Sequence, residues 1–340
     1  MGSRMIKFAK LAVLGTFMTA CQAQQPAVEK RIEKERVPAE VPAANMSHGE
    51  APVGAGTAPA QVNASAPPRS TVHHQSLRLD VSNATVEISP GVKFAAWTFG
   101  GDVPGPFLRA TVGDTVDFTL VNSGSIPHSM DFHAAEIAPD KYYVNVSPKD
   151  SVMYRFVPRV AGVFMYHCGT APVAAHIANG MYGAFIIDPP APRPLAKEFV
   201  LVQSEFYLTS DSAGTTRSLA WERLLSLAPD FVAFNGRAAQ YATHPIIVQA
   251  NELVRLYVVN AGPNRVSSFH VVGGIFERVF ADGSMKATYE GVQTVAVPVG
   301  GGAMFEIRLK QPGDYPFVTH AFADATKGAV GILRAQAGAK

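Results

Sequence analysis

From residue 76 onward the chain alternates apolar and polar positions in short runs, with Gly, Pro, Asn or Asp between them. Leu77–Val81, Thr115–Val121, Val152–Phe156, Ala184–Ile187, Leu253–Val259 and Phe305–Leu309 are examples. A period of two turns successive side chains to opposite faces of a strand. Strands spaced this way, with little helical periodicity, predict an all-β chain of sandwiches. Arg217–Leu227 carries a pattern suited to a short helix.

The pattern occurs twice. VDFTLVN at Val116–Asn122 matches VRLYVVN at Val254–Asn260, an offset of 138 residues. Each is followed by a Phe-His pair, Phe132-His133 and Phe269-His270, and then by a Gly-aromatic-His stretch, Gly162–His167 and Gly313–His320. Each half closes on Gly-Ala and an apolar strand, at Gly183 and Gly328. An offset of one sandwich implies tandem homologous domains at about 76–190 and 191–340.

Ahead of the domains the pattern is different. Lys7 and Lys10 precede a short apolar stretch, Leu11–Thr19, and small residues lead to Cys21. The stretch is too short to span a bilayer and reads as a secretory signal over residues 1–21. Its ending, MTAC, resembles a bacterial lipoprotein box with Cys21 as the acylated residue. That implies a lipid anchor in the periplasm, at the outer membrane or on the cell surface. An ordinary signal cut near Ala23 implies a soluble periplasmic protein instead. Residues 22–75 are rich in Ala, Pro, Gln, Glu and Val and lack apolar periodicity, which predicts a disordered tether. His48, His73 and His74 fall in or near it as solvated residues.

Composition narrows the class. The chain has 340 residues, 47% of them apolar and 16% charged, enough for two cores. A net charge of +2 with no basic stripe gives no sign of a nucleic-acid partner. The cysteines, Cys21 and Cys168, each have a better explanation than a disulfide.

The candidate chemistry lies between residues 128 and 181, in PHSMDFH and YHCGTAPVAAHIANGMYG. His128, Cys168, His176 and Met181 supply two imidazoles, a thiolate and a thioether, the donor set of a blue electron-transfer copper. Singly, Met181 reads as core packing and Cys168 as an inert buried thiol. A single Cys with a Met is not the usual zinc set. On an extended segment, His133 points away from His128, and His167 away from Cys168, so a second metal is expected at His133 and His167. Two imidazoles are too few for a tight site, and His270, His320 and His244 are further candidates. An all-imidazole site with an open position suits copper or zinc catalysis.

These residues resemble the copper-containing nitrite reductases, particularly their lipoprotein branch, over about residues 85–338. The matching stretches are PHSMDFHAA, GVFMYHC, HIANGMYG, FVAFNG, GPNRVSSFHVVG and VTHAF…KGAVG. The resemblance implies two cupredoxin-like Greek-key domains per subunit and a trimeric ring. It also implies one type 1 and one type 2 copper per subunit and reduction of nitrite to nitric oxide and water. His128, Cys168, His176 and Met181 match the type 1 ligands. His133, His167 and His320 match the type 2 ligands, His320 coming from a neighbouring subunit. Asp131 and His270 match the proton-handling pair, and Val272 an aliphatic residue over the substrate. A blue-copper protein or a cytochrome c is the electron donor expected by resemblance.

EIAPDKYYVNV follows PHSMDFHAA where the family often has a glycine-rich stretch, and Ile275 stands where some members have a histidine. Alternatives are a two-domain multicopper oxidoreductase with another small substrate, and a copper-binding electron-transfer protein without catalysis. Oxygen-reducing clusters resemble sets of His-X-His motifs, and this chain has none, with Gly169 following Cys168.

Overall fold

The computed structural model describes residues 60–210 and 216–338. Cys21, the expected lipoprotein signal and most of the expected tether lie outside them.

The first sandwich contains β1 (His74–Ser89), β2 (Val92–Phe99), β3 (Leu108–Thr111), β4 (Thr115–Asn122), β5 (Asp131–Phe132), β6 (Ser151–Phe156), β7 (Gly162–His167) and β8 (Tyr182–Asp188). The second contains β9 (Lys197–Phe206), β10 (Phe231–Phe234), β11 (Ile246–Gln249), β12 (Val254–Gly262), β13 (Ser267–Val271), β14 (Phe276–Ala281), β15 (Tyr289–Val292), β16 (Thr294–Val297), β17 (Gly302–Ile307), β18 (Gly313–Thr319) and β19 (Val330–Gln336). The sheets run β2-β1-β4-β6 and β3-β8-β7-β5 in the first, and β10-β9-β12-β17-β14-β15 and β11-β19-β18-β13-β16 in the second. The repeat is topological as well as sequential. β1 and β4 pair in parallel as β9 and β12 do, and β3 and β8 in parallel as β11 and β19 do.

The matched strands β4 and β12 are buried differently. β4 alternates, with Val116, Phe118 and Leu120 fully inside and Asp117 and Thr119 outward. β12 is buried at every position. Its second face carries Tyr257 and Val259 where β4 has Thr119 and Val121. That face joins a core shared between the sandwiches, with Val163, Met165, Ala184 and Ile186 on one side and Val200, Val202, Tyr257 and Met304 on the other. Fully burying each large apolar side chain contributes roughly 1.5–3 kcal/mol, so this interface is a third core beside the two internal ones. Backbones also meet there: a Cβ on Gly302 would lie 2.2 Å from the Val163 carbonyl oxygen.

The tether ends earlier than its composition predicts. Ala64 is buried, and its carbonyl accepts the Val200 N–H at 2.7 Å. Val62 N–H donates to Gln240 Oε1 at 2.8 Å, and Arg109 Nη1 to the Pro67 carbonyl at 2.7 Å. β10 pairs only with Gln203–Phe206 of β9. The earlier part of β9 is left with backbone groups that need partners, and the strap supplies them. His74 already belongs to β1 and bonds Asp117, while His73 bonds Asp114, so neither is a loose linker residue. The expected helix is a single short one, α3, at Trp221–Leu225; α1 (Pro139–Tyr142) and α2 (Val173–Ala178) are equally brief.

Candidate metal centres

β7 ends at His167, Cys168 follows, α2 carries His176, and Met181 immediately precedes β8. The return is held by short backbone bonds. Cys168 N–H donates to the Met181 carbonyl at 3.1 Å, and Met181 N–H to the His176 carbonyl at 3.2 Å. His128 enters from another loop and is clamped to Val146 by reciprocal backbone bonds of 3.1 and 2.7 Å. Nδ1 of His128 and Nδ1 of His176 are 3.1 Å apart, and Cys168 Sγ lies 3.8 and 3.2 Å from them. His128, Cys168 and Met181 are 0% exposed and His176 2%.

His128 Nδ1, His176 Nδ1 and Cys168 Sγ converge in a site closed to solvent, where their lone pairs face one another and polar groups without a compensating partner are costly. A cation among them removes that cost. Burial, and then the neighbouring His176, push His128 down to about 4; burial also lowers His176. Both imidazoles are thus neutral and ready to ligate. Soft sulfur with imidazole, and the Met181 thioether in the same cluster, fit copper. Ser129, not singled out from sequence, donates its backbone N–H to Cys168 Sγ at 3.4 Å and so supports a thiolate. It lies inside PHSMDFH, but a main-chain donor leaves no side-chain signature.

The second group stands behind the first. Asp131 sits opposite His167 in the β5–β7 register, and His133 N–H donates to the Met165 carbonyl at 3.1 Å. Nε2 of His133 and Nε2 of His167 are 3.1 Å apart, with Asp131 Oδ2 3.7 Å from His167 Nε2. His167 Nδ1 lies 2.9 Å from the Cys168 carbonyl oxygen, which can only accept. That fixes the proton on Nδ1 and turns a lone pair on Nε2 toward His133. His133 is exposed as a residue in the single chain. Its imidazole is nevertheless lowered, by desolvation first and by His167 next, against the opposing charge of Asp131.

The second sandwich carries a matching pair. His270 and His320 face each other with centroids 5.4 Å apart at 71°, against 5.1 Å and 82° for His133 and His167. Phe269 pairs with Thr319 and Phe132 with Tyr166, so His320 occupies the place of His167 and His270 that of His133. Among the described residues, the donors within 4.8 Å of one another are His128, Cys168 and His176, and separately Asp131, His133 and His167. His320 and His270 join neither group within one chain. His270 Nδ1 lies 2.8 Å from the Gln293 carbonyl oxygen. Val272 is 37% exposed just beyond the pair. His244 bonds Thr243 and belongs to no donor group. Tyr143, from the segment that departs from the family pattern, donates to the Phe132 carbonyl at 3.1 Å. Burial, then the charge of Asp131, push its hydroxyl up to about 12.

Models of the multicopper oxidase family match residues 80–192 and 197–337. The copper-containing nitrite reductase of Neisseria meningitidis serogroup A is 38% identical over 267 residues, covering 76% of this chain and 69% of that protein. The one from Neorhizobium galegae is 31% identical, covering 72% and 70%. Among solved structures, the copper nitrite reductase from Nitrosomonas europaea superposes with a TM-score of 0.71 at 33% identity, over 77% of this chain and 94% of that one. A multicopper oxidase superposes at 0.68 and 28% identity, over 77% and 89%. With donor groups of this composition on a fold of this topology, the chain belongs to the copper-containing nitrite reductase family.

Proposed function

We propose that this chain reduces nitrite to nitric oxide, with a type 1 copper held by His128, Cys168, His176 and Met181. A type 2 copper is held by His133, His167 and His320 of a neighbouring subunit. The observation that carries this reading is the junction of the two donor groups at adjacent residues, through a hydrogen bond from His167 to the Cys168 carbonyl.

Copper would supply one-electron redox chemistry at the first group and Lewis acidity at the second. The protein supplies geometry and protons. Nitrite takes one electron and two protons, losing one oxygen as water. Asp131, opposite His167, hydrogen-bonds the nitrite oxygen and delivers one proton. His270 delivers the other, its Nδ1 oriented by the Gln293 carbonyl. Val272 restricts the space over the substrate.

The same geometry supports a ring of subunits, and the resemblance implies three of them. Asp131, His133 and His167 make an incomplete site, and the second sandwich presents His320 and His270 in the equivalent place. Joining the first sandwich of one copy to the second of another would complete the set, and repeating such a head-to-tail contact generates a ring where the rotation closes. Residues 5–21 support a lipid anchor at Cys21, which would hold the protein in the bacterial periplasm or at the outer membrane or cell surface. A periplasmic blue-copper protein or cytochrome c fits as electron donor.

The test is steady-state nitric oxide production from nitrite with copper quantified in the same sample. About two coppers per chain and nitric oxide release are expected. A copper-loaded protein that makes none at mildly acidic pH overturns the nitrite assignment, and one copper per chain points to a carrier.

A further inference from the structure

Trp97 of β2 packs edge-on against both imidazoles of the first donor group. Its ring centroid is 4.9 Å from that of His176 and 5.7 Å from that of His128, with interplanar angles of 61° and 68°. Its backbone N–H donates to the Asn179 carbonyl at 2.9 Å, tying β2 to the turn that follows α2. The four candidate ligands are closed off from solvent, whereas Trp97 is only partly buried. It lines a shallow surface cavity with Asn83, Thr85 and Ala95, none of them charged. β2 is also an edge strand of its sheet. The indole therefore reaches from the ligand rings to the surface of the molecule. It is not itself a ligand, because its only polar group is an N–H donor.

We propose that Trp97 is the relay by which an electron enters the first metal centre. A reduced carrier protein gives up one electron, which passes through the indole and an adjoining imidazole and reduces copper(II) to copper(I). No bond is made or broken, no proton moves, and the indole is unchanged at the end. The inference rests on the copper assignment above. Its physical basis is contact. A carrier cannot touch buried donors, so the electron must cross the layer over them, and transfer weakens steeply as that gap widens. An aromatic ring against both imidazoles shortens the gap. The exposed residues just ahead of His176 in the chain, Pro172, Val173 and Ala174, offer only small aliphatic groups.

Trp97→Leu and Trp97→Phe are compared with the parent as copper-loaded full chains. Three quantities are read: the intense visible band, the reduction potential of the first centre, and the bleaching rate of that band in stopped flow. The reductants are reduced cytochrome c and hexaammineruthenium(II). The expected result is an unchanged band and potential, with bleaching by both reductants slowed about tenfold in Trp97→Leu and largely restored in Trp97→Phe. Unchanged bleaching in Trp97→Leu overturns the relay. So does slowing with cytochrome c alone, which marks a contact surface, or slowing accounted for by a shifted potential, which marks a packing role. A parent protein without the band defeats the copper assignment instead, so the two failures are distinguishable.

Discussion

His167 and Cys168 are adjacent in the chain yet serve different donor groups. His167 Nε2 faces His133 at 3.1 Å while Cys168 Sγ faces His176 at 3.2 Å on the other side of the strand end. The Cys168 carbonyl accepts the His167 Nδ1–H, so the residue that gives the first group its sulfur also sets the tautomer of the second. A change at either residue is therefore felt at one centre directly and at the other through a few bonds.

Cys168→Ser removes the thiolate and keeps the carbonyl. The visible band disappears, bound copper falls from about two to about one per chain, and nitrite turnover stops because the second centre receives no electron. Absorption and metal analysis on one preparation check this; a band that survives refutes the role of Cys168.

Asp131→Asn preserves shape and removes the transferable proton. Turnover is expected to fall by about 10²–10⁴-fold, the scale of a lost general acid, with the visible band and copper content intact. Activity close to that of the parent would reassign Asp131 to loop structure.

His320→Ala leaves the second donor group incomplete. Copper at the first centre and its colour persist, while the second copper is lost. Dilution or mild denaturant that separates subunits should produce the same selective loss in the parent protein. Retention of both coppers in separated single chains would show that the second site does not span subunits.

The metal-free protein should lose stability as pH falls from about 6.5 to about 4. Burial lowers His128 from 6.5 to about 4, so within that window the unfolded chain binds the proton more readily than the folded one. The contribution is fully present above 6.5 and gone below 4. Thermal midpoints of metal-free parent and His128→Gln across this range give the check: the variant should show a shallower slope, and an identical slope contradicts the shift.

Gly302→Ala places a Cβ 2.2 Å from the Val163 carbonyl, and Gly162→Ala places one equally close to that of Asp282. Neither backbone can yield without opening the shared core, so each should cost roughly 1–3 kcal/mol. Gly338→Ala, with nothing within 4 Å, should be silent. Denaturant midpoints for the three variants decide it.

Much of this was legible in the residues themselves. The alternation in Thr115–Asn122 specifies a strand with one wet face. The replacement of Thr119 by Tyr257 in the matched strand already hints that its counterpart is covered twice. The donor types at His128, Cys168, His176 and Met181 name the chemistry, because ligand softness is a property of the side chain. Strand parity assigns His133 and His167 to the opposite side from His128 and Cys168, since a period of two is local geometry. Contacts between distant segments follow no local period. The pinning of residues 60–73 depends on unpaired backbone of β9, supplied by a strand far along the chain. The covering of His128 and His176 by Trp97 depends on the path of an edge strand. The separation of His270 and His320 from His133 and His167 depends on how two copies of one sandwich pack. The sequence determined the candidate ligands, the strands and the duplication through side-chain chemistry and backbone periodicity. Only the tertiary structure decided which of those ligands meet within a single chain, because long-range packing brings them together or holds them apart.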